Sequence, residues 1–188
     1  MYADLWVVVA DTDRDQWEYA PLEAVGPLRF GMSPDEAVAR MAALGFTGTL
    51  DEMHPWNHQR RQYRTEFQKS QGPEPYQTDV TGYYVEGIGL TCVVADGLSG
   101  PQVSFEGMRL VGRIPSQLMN ELGAYLEERD LGFTFTPQGD ITNAELGFMP
   151  GVQRAGDILV TRAIFGKPDE GIANTLDDII PGEVWGHH

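Results

Sequence analysis

The feature that most constrains this chain is a helix-starting device that occurs twice. Gly31-Met32-Ser33-Pro34-Asp35-Glu36 puts a capping hydroxyl at Ser33, proline at the first helical position and a glutamate three residues after the cap. Together these make a capping box, which fixes where a helix begins. Val38, Met41 and Ala42 supply its inward face, and Leu44-Gly45 ends it. The register returns 81 residues later, where Gly26 aligns with Gly107, Gly31 with Gly112, Pro34 with Pro115, Val38 with Met119 and Met41 with Leu122. The second helix therefore starts at Pro115, with Leu118, Leu122 and Tyr125 recurring beside Met119 and Leu126. Turn chemistry and helix phase agree, so the pattern predicts an internal duplication.

Between these helices the signals are those of strands. Leu5 to Ala10 is rich in β-branched residues and predicts a buried strand. Asp11-Thr12-Asp13-Arg14-Asp15 then turns it as a solvated loop, and Trp17-Glu18-Tyr19 returns, making an N-terminal hairpin. Tyr83-Tyr84-Val85, Leu90 to Val94, Val103-Ser104-Phe105, Phe133 to Thr136 and Ile158 to Phe165 are further strands, with Asp96-Gly97 as a turn. A helix is predicted from Pro55 to Lys69, because Trp56, Tyr63 and Phe67 fall on one stripe with Arg60, Arg61 and Arg64 between them. Gly72-Pro73-Glu74-Pro75 is the best break in the chain. The expectation is an α+β protein of two tandem related units, each an amphipathic helix packed on antiparallel strands. Its parts are an N-terminal hairpin (1–19), a first unit with a helical insertion (20–106), a second unit (107–168) and an acidic tail (169–188).

The words Leu28-Arg29-Phe30-Gly31-Met32-Ser33-Pro34-Asp35-Glu36-Ala37 resemble the strand, Gly-Met-Ser/Thr, helix opening of the repeats in β-lactamase-inhibitory-protein-like and BamE-like domains. Val25 to Ser33 also resembles immunity-type actinobacterial proteins. The resemblance implies helices on an antiparallel sheet and a protein-binding role. The second copy departs from it, since Arg113 and Ile114 replace Met and Ser/Thr. A helix-start motif speaks to fold far more than to function.

Chemical motifs are sparse. Asp11, Asp13 and Asp15 have the spacing of a calcium loop, but Gln16 and Leu22 stand where the loop needs glycine and a bidentate glutamate. His54 and His58 lie four apart, yet Pro55 places His54 at a helix cap and out of line, so no metal site is expected. Cys92, the one cysteine, sits in an apolar strand with no histidine near in sequence, which fits a small buried hydrophobe. Gly87-Ile88-Gly89 and Gly166-Lys167-Pro168 do not continue as nucleotide-binding loops. No cofactor and no catalytic residue are predicted.

Charge gives the remaining constraint. The 188 residues carry 28 acids and 13 bases, a net charge of −15. Residues 1–23 and 169–188 are each −5, whereas 54–71 are +3. A chain this acidic does not bind nucleic acid through phosphates. Leu5 to Ala10 is too short to span a bilayer and lacks the flanks of a signal peptide, so a cytoplasmic protein is expected. Acidity does suit an inhibitor of a cationic protein, because steering speeds association and carboxylates can fill a site made for phosphate. The sequence therefore predicts a non-enzymatic binding protein, an immunity protein that occludes the active site of a basic bacterial toxin. The alternative is a small enzyme or ligand-binding domain with an unrecognised site. Tyr83, Tyr84, Glu86, Trp56 and Phe148 are the candidate contacts, since aromatic anchors beside carboxylates suit tight interfaces.

Overall fold

The computed structural model describes residues 6–53, 60–69, 78–135 and 139–166. They form a mixed α+β fold, mostly sheet, with two helices among the described residues. A six-stranded antiparallel sheet carries the architecture. In spatial order it runs β12 (Phe148–Ala155), β13 (Ile158–Gly166), β7 (Gly89–Ala95), β6 (Val80–Val85), β5 (Gln62–Lys69) and β4 (Phe46–Met53). A smaller sheet orders β3 (Leu28–Arg29), β2 (Ala24–Val25), β1 (Gln16–Ala20), β8 (Gln102–Phe105) and β9 (Met108–Arg109). Within it, β1 and β8 run parallel. A two-stranded ribbon, β10 (Thr134–Phe135) and β11 (Ile141–Thr142), completes the set.

Helix α1 (Pro34–Ala42) begins with its expected capping box: Ser33 accepts from the Glu36 amide at 3.3 Å, and the Glu36 carboxylate accepts from the Ser33 amide at 2.9 Å. Those bonds hold the Glu36 carboxyl below its ordinary range. Helix α2 (Pro115–Glu128) starts at its proline without a side-chain cap, since Ile114 stands where Ser33 stands in α1. It buries Leu118, Leu122 and Leu126 along one face.

The two openings dock alike. The Gly31 amide donates to Leu90 O (2.8 Å) and the Leu90 amide to Met32 O (2.7 Å); likewise Gly112 donates to Thr161 O and Thr161 to Arg113 O, both at 2.8 Å. Each helix is thereby tied to a central strand of the large sheet. α1 packs on β4 and β5, and α2 on β12 and β13. Gly31 and Gly89 approach so closely that a Cβ on Gly89 would lie 2.3 Å from Gly31 O. The two helices, the small sheet and one face of the large sheet enclose the main core, with Trp17, Tyr19, Phe67, Tyr84, Phe105, Phe148 and Phe165 at its centre. The opposite face of the large sheet holds a second cluster of Met53, Tyr83, Cys92, Val94, Met149 and Ile164.

Two expectations about elements are corrected. Residues 62–69 are not helical: Gln62 to Lys69 is β5, paired to β4 and β6. Tyr63 and Phe67 fit a helix and a strand equally, being four apart, but Thr65 between them is also buried, and that alternation is a strand's. Among the described residues the expected N-terminal hairpin is not formed. Val7 to Ala10 forms no strand, although the Val9 amide donates to Leu98 O, and β1 pairs with β2 and β8 instead.

The cause lies in Arg14, which is buried rather than solvated. Its guanidinium donates to the carbonyls of Val9 (3.0 Å), Gly97 (2.8 Å), Leu98 (2.9 Å) and Gly100 (2.5 Å), so it stitches residues 9–14 to the turn after β7. Asp11 closes the same corner by accepting from Gln102 and pairing with Arg109. The Gly72 to Pro75 break, Trp56, His54, His58 and the 169–188 tail lie outside the described residues.

Candidate protein-binding surfaces

The large sheet decides which side chains reach the surface. Its centre is covered on both faces: Tyr84 is 1% exposed, Phe148 2% and Tyr83 6%. These three predicted anchors are therefore core residues, Tyr84 and Phe148 in the main cluster and Tyr83 in the second. Burial pushes the Tyr84 phenol up to about 12 and the Cys92 thiol up to about 12, so Cys92 is an inert thiol and not a nucleophile. Glu86, by contrast, is exposed just beyond the end of β6. Among the described residues, Glu86 alone of the predicted contacts is exposed.

Open surface lies at the ends of the sheet. The β12–β13 hairpin leaves Ile158 61%, Leu159 56% and Val152 41% exposed. Leu159 pairs across the ladder with Arg154, and Arg154 sits over the Trp6 ring at 5.5 Å. Trp6 and Val7, at 40% and 53% exposed, extend this apolar surface, with Trp6 packed beside Gly156 at the turn. Ile158 and Leu159 point to opposite faces of this ladder, Val152 shares the Leu159 face, and Trp6 packs at the turn. Exposed apolar groups scattered singly are ordinary, whereas neighbouring ones make a candidate interaction site. At the other end, the burial of β4 shows its six middle residues exposed on both faces.

A third surface is an open groove of about 620 Å³ between the β8–β9 turn and α2, lined by Glu106, Met108, Glu121, Tyr125, Glu128 and Arg129. Its charges are already engaged. Arg129 stacks on Tyr125 at 3.9 Å and pairs with Glu128 (2.9 Å) and Glu106 (3.5 Å), and Glu121 pairs with Arg113. Such a groove offers a ligand little uncompensated charge, and it holds no histidine or cysteine.

Elsewhere several basic side chains are paired to acids of the same chain: Lys69 to Asp15 at 2.7 Å, Arg64 to Glu66 at 3.2 Å and to Asp51 at 3.8 Å, and Arg61 to Glu52 at 3.9 Å. Among the described residues no three His, Cys, Asp or Glu side chains are grouped to hold a metal ion. No described helix is long and apolar enough to cross a membrane.

Sequence reasoning missed the tip because Ile158 and Leu159 read as interior residues of a β-branched strand. The signal that identifies them is the turn Gly156-Asp157 directly before: residues at the head of a hairpin project past the layer that would cover them. Comparison with protein-family models, with curated proteins and with solved structures finds no significant match to this chain.

Proposed function

We propose that this chain is a non-enzymatic protein-binding protein that uses the β12–β13 tip as its apolar anchor and its acidity to recruit a basic partner. The observation that carries this reading is the exposure of Ile158 and Leu159 at the β12–β13 turn, with Trp6 packed beside Gly156, in a molecule with net charge −15. Apolar anchors supply slow dissociation, and the negative field supplies fast association. An inhibitor that occludes the active site of a basic toxin is the form of this function in which both features serve, and the resemblance of Val25 to Ser33 to immunity-type proteins points the same way. The matching docking of the Gly31 and Gly112 openings supports descent of the two units from one duplicated ancestor.

The test is capture of the partner from the producing cell, followed by binding kinetics across salt concentration. We expect a partner of basic pI whose association slows markedly between low and physiological salt, as exposed charges are screened beyond about 8–10 Å. Dissociation should change much less. An acidic partner, or association indifferent to salt, contradicts the electrostatic half of this function.

A further inference from the structure

The opposite edge of the sheet has a different character, and it points to a second mode of recognition. β4 is the terminal strand, and its register with β5 runs without a shift from Phe46↔Lys69 to Met53↔Gln62. Among the described residues, no backbone hydrogen bond is made to its outer edge. Exposed edges are normally blunted by proline, lysine, a bulge or a covering segment. β12 shows such devices: it carries Pro150 and Arg154, and its start is bridged by Asn143 and bonded by the Thr142 hydroxyl to Phe148 O at 3.2 Å. The first five residues of β4, Phe46-Thr47-Gly48-Thr49-Leu50, have none of them and no charge.

Two details make this edge receptive to another backbone. Gly48 has no room for a side chain, since a Cβ there would lie 2.9 Å from Phe67 Cε1, and so the strand presents a bare stretch of peptide. Leu50 and the neighbouring threonines are exposed, ready to line up with residues of an added strand. The strand's only charges, Asp51 and Glu52, are acidic and exposed, with their arginine partners at 3.8 and 3.9 Å.

From these observations we infer that the outer edge of β4 accepts an extended, positively charged segment of another protein as an added strand. Main-chain bonds along Thr47 to Leu50 supply the binding, and the overall negative field favours a cationic segment. A second copy of this chain is disfavoured as the occupant, because two molecules of charge −15 repel. The inference stands apart from the β12–β13 tip, which lies five strand spacings, about 24 Å, across the sheet.

The experiment uses the intact chain, a ten-residue peptide of alternating lysine and valine, and a glutamate–valine peptide as its control. Hydrogen exchange is followed residue by residue. The lysine peptide should slow exchange of amides within Thr47 to Leu50 on the order of tenfold or more at saturation, while the glutamate peptide should not. The double variant Thr47→Lys/Thr49→Lys keeps every backbone donor, cancels the strand's two negative charges and should abolish this protection with melting temperature unchanged. Leu159→Lys, at the other end, should leave it intact, so a failure at the tip is distinguishable from a failure here. Protection confined to other strands, equal protection by both peptides, or protection that rises with protein concentration in the absence of peptide would each overturn the inference.

Discussion

The two ends of the six-stranded sheet are each an antiparallel strand pair and finish in opposite ways. At the β12–β13 end the backbone is partly closed, by Pro150 and by the bridge from Asn143, while the side chains stand out: Val152, Ile158 and Leu159 are largely exposed. At the β5–β4 end no described residue bonds the outer backbone edge, and the exposed side chains are small or polar apart from Leu50. One end offers side-chain anchors and the other offers main-chain donors and acceptors. The helix beneath each end differs too, since α1 under β4–β5 is capped by Ser33 and α2 under β12–β13 has no side-chain cap. An antiparallel sheet with both faces covered at its centre has only its ends to offer a partner, and these two ends offer different chemistry.

The sharpest way to separate centre from ends is to truncate one residue of each. Tyr84→Ala removes a fully buried ring and should cost about 3–5 kcal/mol in denaturant unfolding, the usual range for a large aromatic core residue. Tyr84→Phe should cost less than about 1 kcal/mol, because the Tyr84 and Thr65 hydroxyls are both buried without a hydrogen bond of ordinary geometry. If Tyr84→Ala were as mild as Tyr84→Phe, the centre would not be the packed region described.

Next in size is the contrast between the two helices. Ser33→Ala should destabilise by about 1 kcal/mol through loss of the capping box, whereas Ile114→Ser, which supplies the cap that α2 lacks, should stabilise by about 0.5–1 kcal/mol. Equal and opposite responses would show that the two openings are equivalent in all but the cap. Thermal unfolding measures both.

A smaller effect concerns Asp79, which precedes β6 and accepts the Lys69 amide at 2.7 Å. Burial, with help from Asp96 and Asp15, raises its pKa above the ordinary aspartate value. The folded state then binds a proton more tightly than the unfolded chain, whose aspartate titrates near about 4. Its contribution to stability is therefore fullest below that pH and is lost as pH rises through the folded value. Asp79→Asn should raise the melting temperature at pH 7 and have little effect at pH 3.5, since an amide oxygen can still accept from Lys69. A loss of stability at pH 7 would show that the carboxylate is better compensated than its burial suggests.

Much of this fold is legible in the sequence where the signal is local. The Ser33 to Glu36 capping box, the Pro115 start, the Leu118/Leu122/Leu126 face and the β7, β8 and β13 strands all follow from spacing and turn chemistry. What was not legible depends on tertiary contact. Residues 62–69 read as a helix because Tyr63 and Phe67 satisfy both periods, and only pairing with β4 and β6 resolves them. Arg14 read as part of a solvated turn because its four carbonyl partners lie up to 86 residues away. The candidate surfaces were least legible of all. Aromatic residues in strands suggest anchors and core with equal force, and here Tyr83, Tyr84 and Phe148 are core, while Phe133, Phe135, Ile158 and Leu159 are exposed.

Whether the β12–β13 tip anchors a protein partner is decided by a single comparison. The double variant Ile158→Lys/Leu159→Lys changes two largely exposed side chains, so its stability should stay within about 0.5 kcal/mol of the parent. Its affinity for the captured partner, measured beside that of the parent at fixed salt, should fall on the order of a hundredfold or more, chiefly through faster dissociation. An unchanged dissociation rate at unchanged stability would contradict the claim and remove the tip from the interface.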